Sequence, residues 1–284
     1  MTIPPGLHVD ARKAKSIFRF NMTSRMAGHI ADLPLPPTLL QWMIRGYAAK
    51  YDVPLDEARL TPDGFKTFGD FFARELKPGL RPVDPDPGTL TSPADGLIQT
   101  VGTIHSGLVT QIKGQEYRIS DLLRNADLAA QLEGGQFVTV YLSPSDYHRV
   151  HAPAAGEITA AWSIPGALYS VSPVFVSVFK NLFVTNERLV VSMDTPRGLV
   201  VVVLVAAAVV GKAVLSFSDL ATNQGKKTVS RRFEPSVFME KGEELGAFRL
   251  GSTVVVLTEK GWSPNLALLG KKVKMGQPIM DALP

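Results

Sequence analysis

Helix-period spacing of apolar residues opens this chain. Ala14, Ile17, Phe18, Met22 and Met26 recur at three- and four-residue steps, with Arg12, Lys15 and Arg19 on another side. That pattern predicts a helix. A breaker follows at Pro34-Leu35-Pro36-Pro37, then a second helix with Leu39, Leu40, Met43 and Tyr47 on one stripe, so that 11–51 reads as helical. A third helix is predicted from Thr67. Thr67 and Asp70 have capping-box spacing, with Asp in place of the usual Glu, and Phe68, Phe71, Phe72 and Leu76 form its apolar face. The Pro-rich connector Pro78 to Pro87 marks a change of texture. Beyond residue 90 the chain consists of short Val, Ile, Leu and Phe runs punctuated by Gly, Pro, Asn and Asp, the pattern of strands. The clearest are 136–142 and 199–210. Leu122 to Leu132 is predicted as an inserted helix.

Leu199 to Val210 is twelve uninterrupted apolar residues. A spanning helix needs ~20, and the run is rich in Val, so it reads as a buried strand. A faint internal echo accompanies the strands. Pro93-Ala94-Asp95-Gly96-Leu97-Ile98 resembles Pro153-Ala154-Ala155-Gly156-Glu157-Ile158, and Lys241-Gly242-Glu243-Glu244-Leu245-Gly246 resembles Val273-Lys274-Met275-Gly276-Gln277-Pro278. Glycine turns entering strands at matched places point to a duplicated barrel-sandwich hybrid, like biotinyl and lipoyl domains. The fold class is α+β: an N-terminal helical segment, 1–66, followed by a β-rich domain, 67–284.

Charge sharpens the reading of the N-terminus. Residues 1–50 carry seven Lys/Arg against two Asp/Glu, whereas the remainder carries 23 against 24. A basic amphipathic segment with Phe18, Phe20 and Trp42 suits an anionic membrane surface. Each Lys or Arg near such a surface contributes about 1 kcal/mol, giving roughly 5 kcal/mol at most for this excess. A helical hairpin packed on the core explains the same periodicity equally well. No secretory signal is visible at the N-terminus. The chain has no cysteine, which excludes disulfides, thiolate catalysis and Cys-type zinc sites.

Three groups of residues carry candidate chemistry. Gly251-Ser252 lies 33 residues from the C-terminus. A serine hydroxyl can attack the preceding carbonyl and convert the amide to an ester, given a base and oxyanion donors. Gly251, lacking Cβ, gives access. Elimination then leaves dehydroalanine, which hydrolyses to a pyruvoyl group. A lone Gly-Ser is more simply a turn before the strand Thr253 to Leu257. His148 and His151 lie three apart after Asp146 and before Ala152-Pro153. The pair reads as a base oriented by a carboxylate, as one buried and one surface histidine, or as a zinc site with Asp95 or Asp146. Asp95, before Gly96, is either a turn residue or the orienting carboxylate.

The chain resembles the phosphatidylserine decarboxylases, in their bacterial membrane-associated form. The resemblance rests on Thr67 to Leu76 (TFGDFFAREL), Arg81-Pro82-Val83-Asp84, Ser92 to Gly96 (SPADG) and Tyr141 to Pro153 (YLSPSDYHRVHAP). It continues in Gly166 to Val171 (GALYSV), Asn181 to Arg188 (NLFVTNER) and Lys241 to Thr253 (KGEELGAFRLGST). It implies a proenzyme cut at Gly251-Ser252 into chains 1–251 and 252–284, which stay together as a heterodimer with scope for further dimerisation. Asp95 and His151 are then the charge-relay partners of Ser252 in self-cleavage, and Ser252 becomes the covalent pyruvoyl cofactor. His148 serves the decarboxylation itself. The implied activity converts phosphatidylserine to phosphatidylethanolamine and CO2, with the pyruvoyl group as electron sink and no metal. The implied partners are the lipid and an anionic membrane surface, not nucleic acid, with the protein peripheral on the cytoplasmic face of the cell membrane. One departure is Ser172-Pro173, where Asn-His is common in the family, so that loop is given no catalytic role. Rival readings are a pyruvoyl decarboxylase of another amino acid, a non-catalytic hybrid-fold binding module and a His/Asp zinc hydrolase.

Overall fold

The valine run that begins at Leu199 forms the strand Gly198–Ala206, one of the two central strands of an eight-stranded sheet. The computed structural model describes residues 30–60, 64–110, 115–177, 179–207, 212–225, 227–249 and 252–284. The sheet order is Val229–Met239, Gly156–Ile164, Arg188–Thr195, Gly198–Ala206, Ser252–Thr258, Gln136–Leu142, Gly96–Thr103 and Lys272–Val273. Every neighbouring pair in it is antiparallel. Its central strands lack polar alternation because both faces are covered. Successive side chains point to opposite faces, so Val201, Val203, Val205 and Val255 enter one core while Val200, Val202, Leu204 and Val254 enter the other. The expected strands at 136–142 and within 199–210 are present; 208–211 lie outside the described residues.

Smaller antiparallel sheets flank the large one. One joins Thr89–Thr91, Pro278–Ala282 and Trp262–Pro264, and another joins Ala213–Leu215, Glu244–Phe248 and Arg149–His151. The echoed segments meet in a reciprocal hydrogen-bond pattern. His151 donates its N–H to Pro93 O at 2.8 Å, and Thr91 donates to Pro153 O at 3.0 Å. Around them, Gly276 donates to Ser92 O and Ser92 to Gln277 O, just as Gly242 donates to Ala152 O and Ala152 to Glu243 O. Gly242 and Gly276 adopt φ of 84° and 87°, the left-handed region open to glycine.

The helices are few. Pro37–Tyr51 is the second predicted helix, but its buried stripe is Leu40, Ile44 and Ala48, with Leu39 exposed. Four-residue steps carry that stripe against Val53 and Phe71. The predicted helix at 14–26 lies outside the described residues. Phe68–Phe72 begins with both halves of the capping box: Asp70 N–H donates to Thr67 Oγ1 and Thr67 N–H to Asp70 Oδ2. The helix expected over 122–132 is instead two short ones, Ile119–Leu123 and Ala126–Gln131. They are separated at Arg124, where φ is 49°, and Asn125 caps the second by accepting from Leu128 N–H. Buried Arg188 fixes this insertion. Its guanidinium donates to the carbonyls of Asp121, Leu122, Val184 and Asn186, while burial pushes its pKa down to about 9.

Candidate active site

Ser252 opens the central strand Ser252–Thr258, all seven residues of which are buried. Its register places it opposite Ala206 on one side and Leu142 on the other. Its Oγ is buried and has no hydrogen-bond partner among the described residues. A buried hydroxyl left unsatisfied costs about 1–3 kcal/mol. Leu250 and Gly251 lie outside the described residues.

His148 is delivered to the chain entering that strand. Its carbonyl accepts from Phe248 N–H at 2.9 Å, four residues before Ser252. The imidazole is fully buried and tilts against Phe72 with ring centroids 4.1 Å apart. Nδ1 lies 2.8 Å from Asp146 O, and since a carbonyl only accepts, Nδ1 carries the proton. Burial drives the pKa down to about 3, with Arg74 acting in the same direction. The ring is therefore neutral, and its Nε2 presents a lone pair with no partner.

The short turn before it is built by Asp146. Its carboxylate accepts from Ser143 N–H at 2.7 Å and Ser143 Oγ at 2.6 Å, and meets Lys272 Nζ at 3.4 Å. Arg74 enters from the Phe68–Phe72 side, donating to Ser145 O at 3.0 Å, and its charge bears on His148. Its part was not legible in the sequence, because it acts on backbone carbonyls 71 residues away.

His151 sits differently. Its Nδ1–H donates to Gly242 O at 2.8 Å, and its Nε2 accepts from Tyr147 Oη at 3.0 Å. Burial lowers its pKa, opposed by the Gly242 carbonyl and by Glu244. Both ring nitrogens are thus occupied, Tyr147 being a second neighbour that spacing did not reveal.

Asp95 is 1 % exposed and strongly held. Arg81 Nε donates to Oδ1 at 2.9 Å and Arg81 Nη2 to Oδ2 at 2.7 Å; Lys274 Nζ lies 3.1 Å from Oδ2 and Met275 N–H donates to Oδ1 at 2.9 Å. Burial pushes this carboxyl up, but the Arg81 hydrogen bonds, the Met275 N–H and the two cations hold it below the usual carboxylate range. Asp95 donates to and accepts from neither histidine here, although its charge is felt at both imidazoles. Its link to His151 runs through backbone, from His151 N–H to Pro93 O. Among the described residues no group of three or more His, Asp or Glu is arranged to hold a metal ion.

Asn186 closes the other flank. Its Nδ2 donates to Tyr169 O and to Ala206 O, both at 2.9 Å, and its Oδ1 accepts from Tyr169 N–H. Ala206 is the residue facing Ser252, so the 166–171 and 181–188 motifs meet beside that serine.

The family model described as phosphatidylserine decarboxylase matches residues 68–281. A phosphatidylserine decarboxylase proenzyme of Marinobacter nauticus is 43 % identical over 262 residues, spanning 89 % of this chain and 91 % of the relative. Proenzymes of the same name from Anaeromyxobacter and Myxococcus xanthus are each 40 % identical, over 92 % and 88 % of this chain and 94 % and 92 % of their own lengths. The chain belongs to the phosphatidylserine decarboxylase family.

Proposed function

We propose that this chain decarboxylates phosphatidylserine to phosphatidylethanolamine and CO2 with a pyruvoyl group made from its own Ser252. The observation that carries the proposal is the buried Ser252 Oγ without a partner, at the head of a central strand and one strand away from Asn186-anchored Ala206. A hydroxyl free of competing hydrogen bonds is available to attack the Gly251 carbonyl. The attack exchanges the amide for an ester, and elimination then separates chain 1–251 from chain 252–284. The group formed supplies an electron sink for the carbanion left when CO2 departs.

The chain's own residues divide the remaining work. Asp95 and His151 serve self-cleavage, His151 taking the serine proton. Its Nδ1–H bond to Gly242 fixes the tautomer that leaves Nε2 as the basic atom. His148 serves the decarboxylation, taking up a proton at its free Nε2 and passing it on, since Nδ1 keeps the ring's own proton. Help of that kind contributes ~10²–10⁴-fold. A second assignment draws on a specific observation: His148 Nε2 is buried with no partner among the described residues, which also equips it to take the serine proton. The histidine variants argued below separate the two.

Residues 1–66 act as the membrane-binding segment, with 67–284 as the catalytic domain. No helix among the described residues is long and apolar enough to cross a membrane, and association is peripheral, on the cytoplasmic face. The reciprocal bonding of the echoed segments supports a duplicated hybrid-type sandwich. Intact mass of the active protein tests the proposal. Two chains, the smaller bearing a pyruvoyl terminus, are expected; one unbroken chain in a fully active sample would refute it.

A further inference from the structure

Residues 173–177, 179 and 180 show water an apolar edge that the catalytic reading leaves unused. The helix Pro173–Val176 exposes Val174 by 72 % and Phe175 by 40 %, and Phe179 beyond it by 39 %. Phe175 and Phe179 stack at 5.7 Å with their planes 9° apart, and Phe179 stacks on Tyr169 at 6.4 Å. The edge is therefore an ordered aromatic ladder. Lys180, exposed, follows at once.

The inner side of the loop is tied to the site. Val171, Val176 and Phe183 are buried in the same core cluster as Phe72 and Ala206. Tyr169, at the base of the ladder, is bonded twice to Asn186, which also holds Ala206 opposite Ser252. The other flank mirrors this. The helix Pro37–Tyr51 exposes Trp42 by 74 % and Leu39 by 45 %, while its Tyr47 ring meets Phe72 at 6.0 Å, and Phe72 meets His148.

We propose that the 173–180 loop is a second membrane contact, which buries Val174, Phe175 and Phe179 at the level of the head groups of an anionic bilayer, with Lys180 against their phosphates. It acts with the Pro37–Tyr51 helix to straddle the site, so that a lipid head group reaches Ser252 without leaving the interface. This rests on the proposed lipid substrate. A bilayer fits better than a second copy of the chain. A stable protein interface buries about 1,200–2,000 Å², and three side chains fall far short of that. Apolar side chains beside a long cationic one match the interfacial layer, where the cation's stem lies along the apolar region and its head stays in water.

The chain has no cysteine, so Val174→Cys creates a single attachment point for an environment-sensitive fluorophore. Vesicles of phosphatidylcholine with phosphatidylserine are expected to shift its emission to the blue, and a spin-labelled lipid to quench it. Phe175→Asp is expected to release CO2 from such vesicles at least tenfold more slowly than the unaltered protein, while a gel still shows both chains. An emission that reports water with and without vesicles overturns the proposal. So does a blue shift that depends on protein concentration alone, which would assign the edge to a second copy. The unaltered protein, assayed on detergent-dispersed phosphatidylserine, tests the underlying activity separately. CO2 release there with no insertion by the labelled loop rejects only this inference, whereas no release rejects the lipid-decarboxylase reading.

Discussion

Met275 donates its backbone N–H to the Asp95 carboxylate at 2.9 Å, joining a residue downstream of Gly251-Ser252 to one upstream of it. Lys274 adds a 3.1 Å contact to the same carboxylate. The piece 252–284 that the proposed cut would make also supplies the strand Ser252–Thr258, which is paired on both edges by strands of the larger piece. The two chains should therefore remain one particle after cleavage. Size-exclusion chromatography in buffer is expected to give co-elution, and in strong denaturant, separation. Dissociation in buffer would mean that the sheet does not survive the cut.

Ser252→Ala removes the attacking hydroxyl, and it also removes a buried hydroxyl without a partner. The variant should stay a single chain and be no less stable than an uncleaved reference. A gain of up to about 1–3 kcal/mol is expected, the cost of an unsatisfied buried polar group. Denaturant unfolding beside a gel measures both. A large loss of stability would indicate a structural hydrogen bond at Ser252.

Pattern alone located the strands around Ser252 because their burial on both faces writes itself as unbroken Val, Ile and Leu. The Thr67–Asp70 capping box was equally legible, both of its bonds being local. The break at Arg124 was passed over, although Asn125, an N-cap residue type, stands beside it. The stripe of Pro37–Tyr51 was displaced from Leu39 to Ile44 for a tertiary reason, the position of Phe71. Ser252, His148, His151 and Asp95 were given roles from motifs; Arg74, Arg81 and Tyr147 lie in the same motifs, but their partners, Ser145, Asp95 and His151, are visible only in the fold. Spacing also gave no hint that Asp95 would be committed to Arg81 and Met275 rather than bonded to an imidazole.

Membrane attachment should respond to salt. Residues 1–50 hold the whole basic excess, and attraction between exposed charges is screened beyond ~8 Å at physiological ionic strength. Flotation with anionic vesicles is expected to recover most of the protein at low salt and markedly less at high salt. Equal recovery on neutral and anionic vesicles at low salt would assign the basic face to core packing.

Acid should destabilise the protein through its buried histidines. An unfolded histidine titrates near 6.5, whereas His148 is held down to about 3 and His151 is lowered in the same direction, both chiefly by burial. Below pH 6.5 the unfolded chain therefore binds protons that the folded chain refuses, and stability falls as pH falls. Each such histidine contributes up to about 1.4 kcal/mol per pH unit. Between pH 6.5 and 4.5 the melting temperature should drop, and less so in His148→Asn. The window stops there because the depressed Asp95 carboxyl adds loss of its own below it. Equal pH dependence in the variant would show that His148 is not kept neutral by the fold.

The two histidines should fail in different ways. His151→Ala is expected to accumulate uncleaved chain, since Ser252 loses its base. His148→Ala is expected to cleave yet release CO2 at least a hundredfold more slowly, the lower end of what acid-base help contributes. The two steps need different things: cleavage needs a neutral imidazole beside a hydroxyl, and decarboxylation needs a proton placed at carbon afterwards. The structure makes the comparison informative, because His151 has both nitrogens occupied by Gly242 and Tyr147, whereas His148 presents a lone Nε2. Tyr147→Phe frees His151 Nε2 without moving its Nδ1 anchor, and should preserve cleavage if that nitrogen takes the serine proton directly. Asp95→Asn should resemble His151→Ala, because the carboxylate's charge supports a proton on the imidazole. The gel and the CO2 assay are run together on each variant. Cleavage blocked in His148→Ala but normal in His151→Ala would move the base to His148, the nitrogen that the fold leaves free.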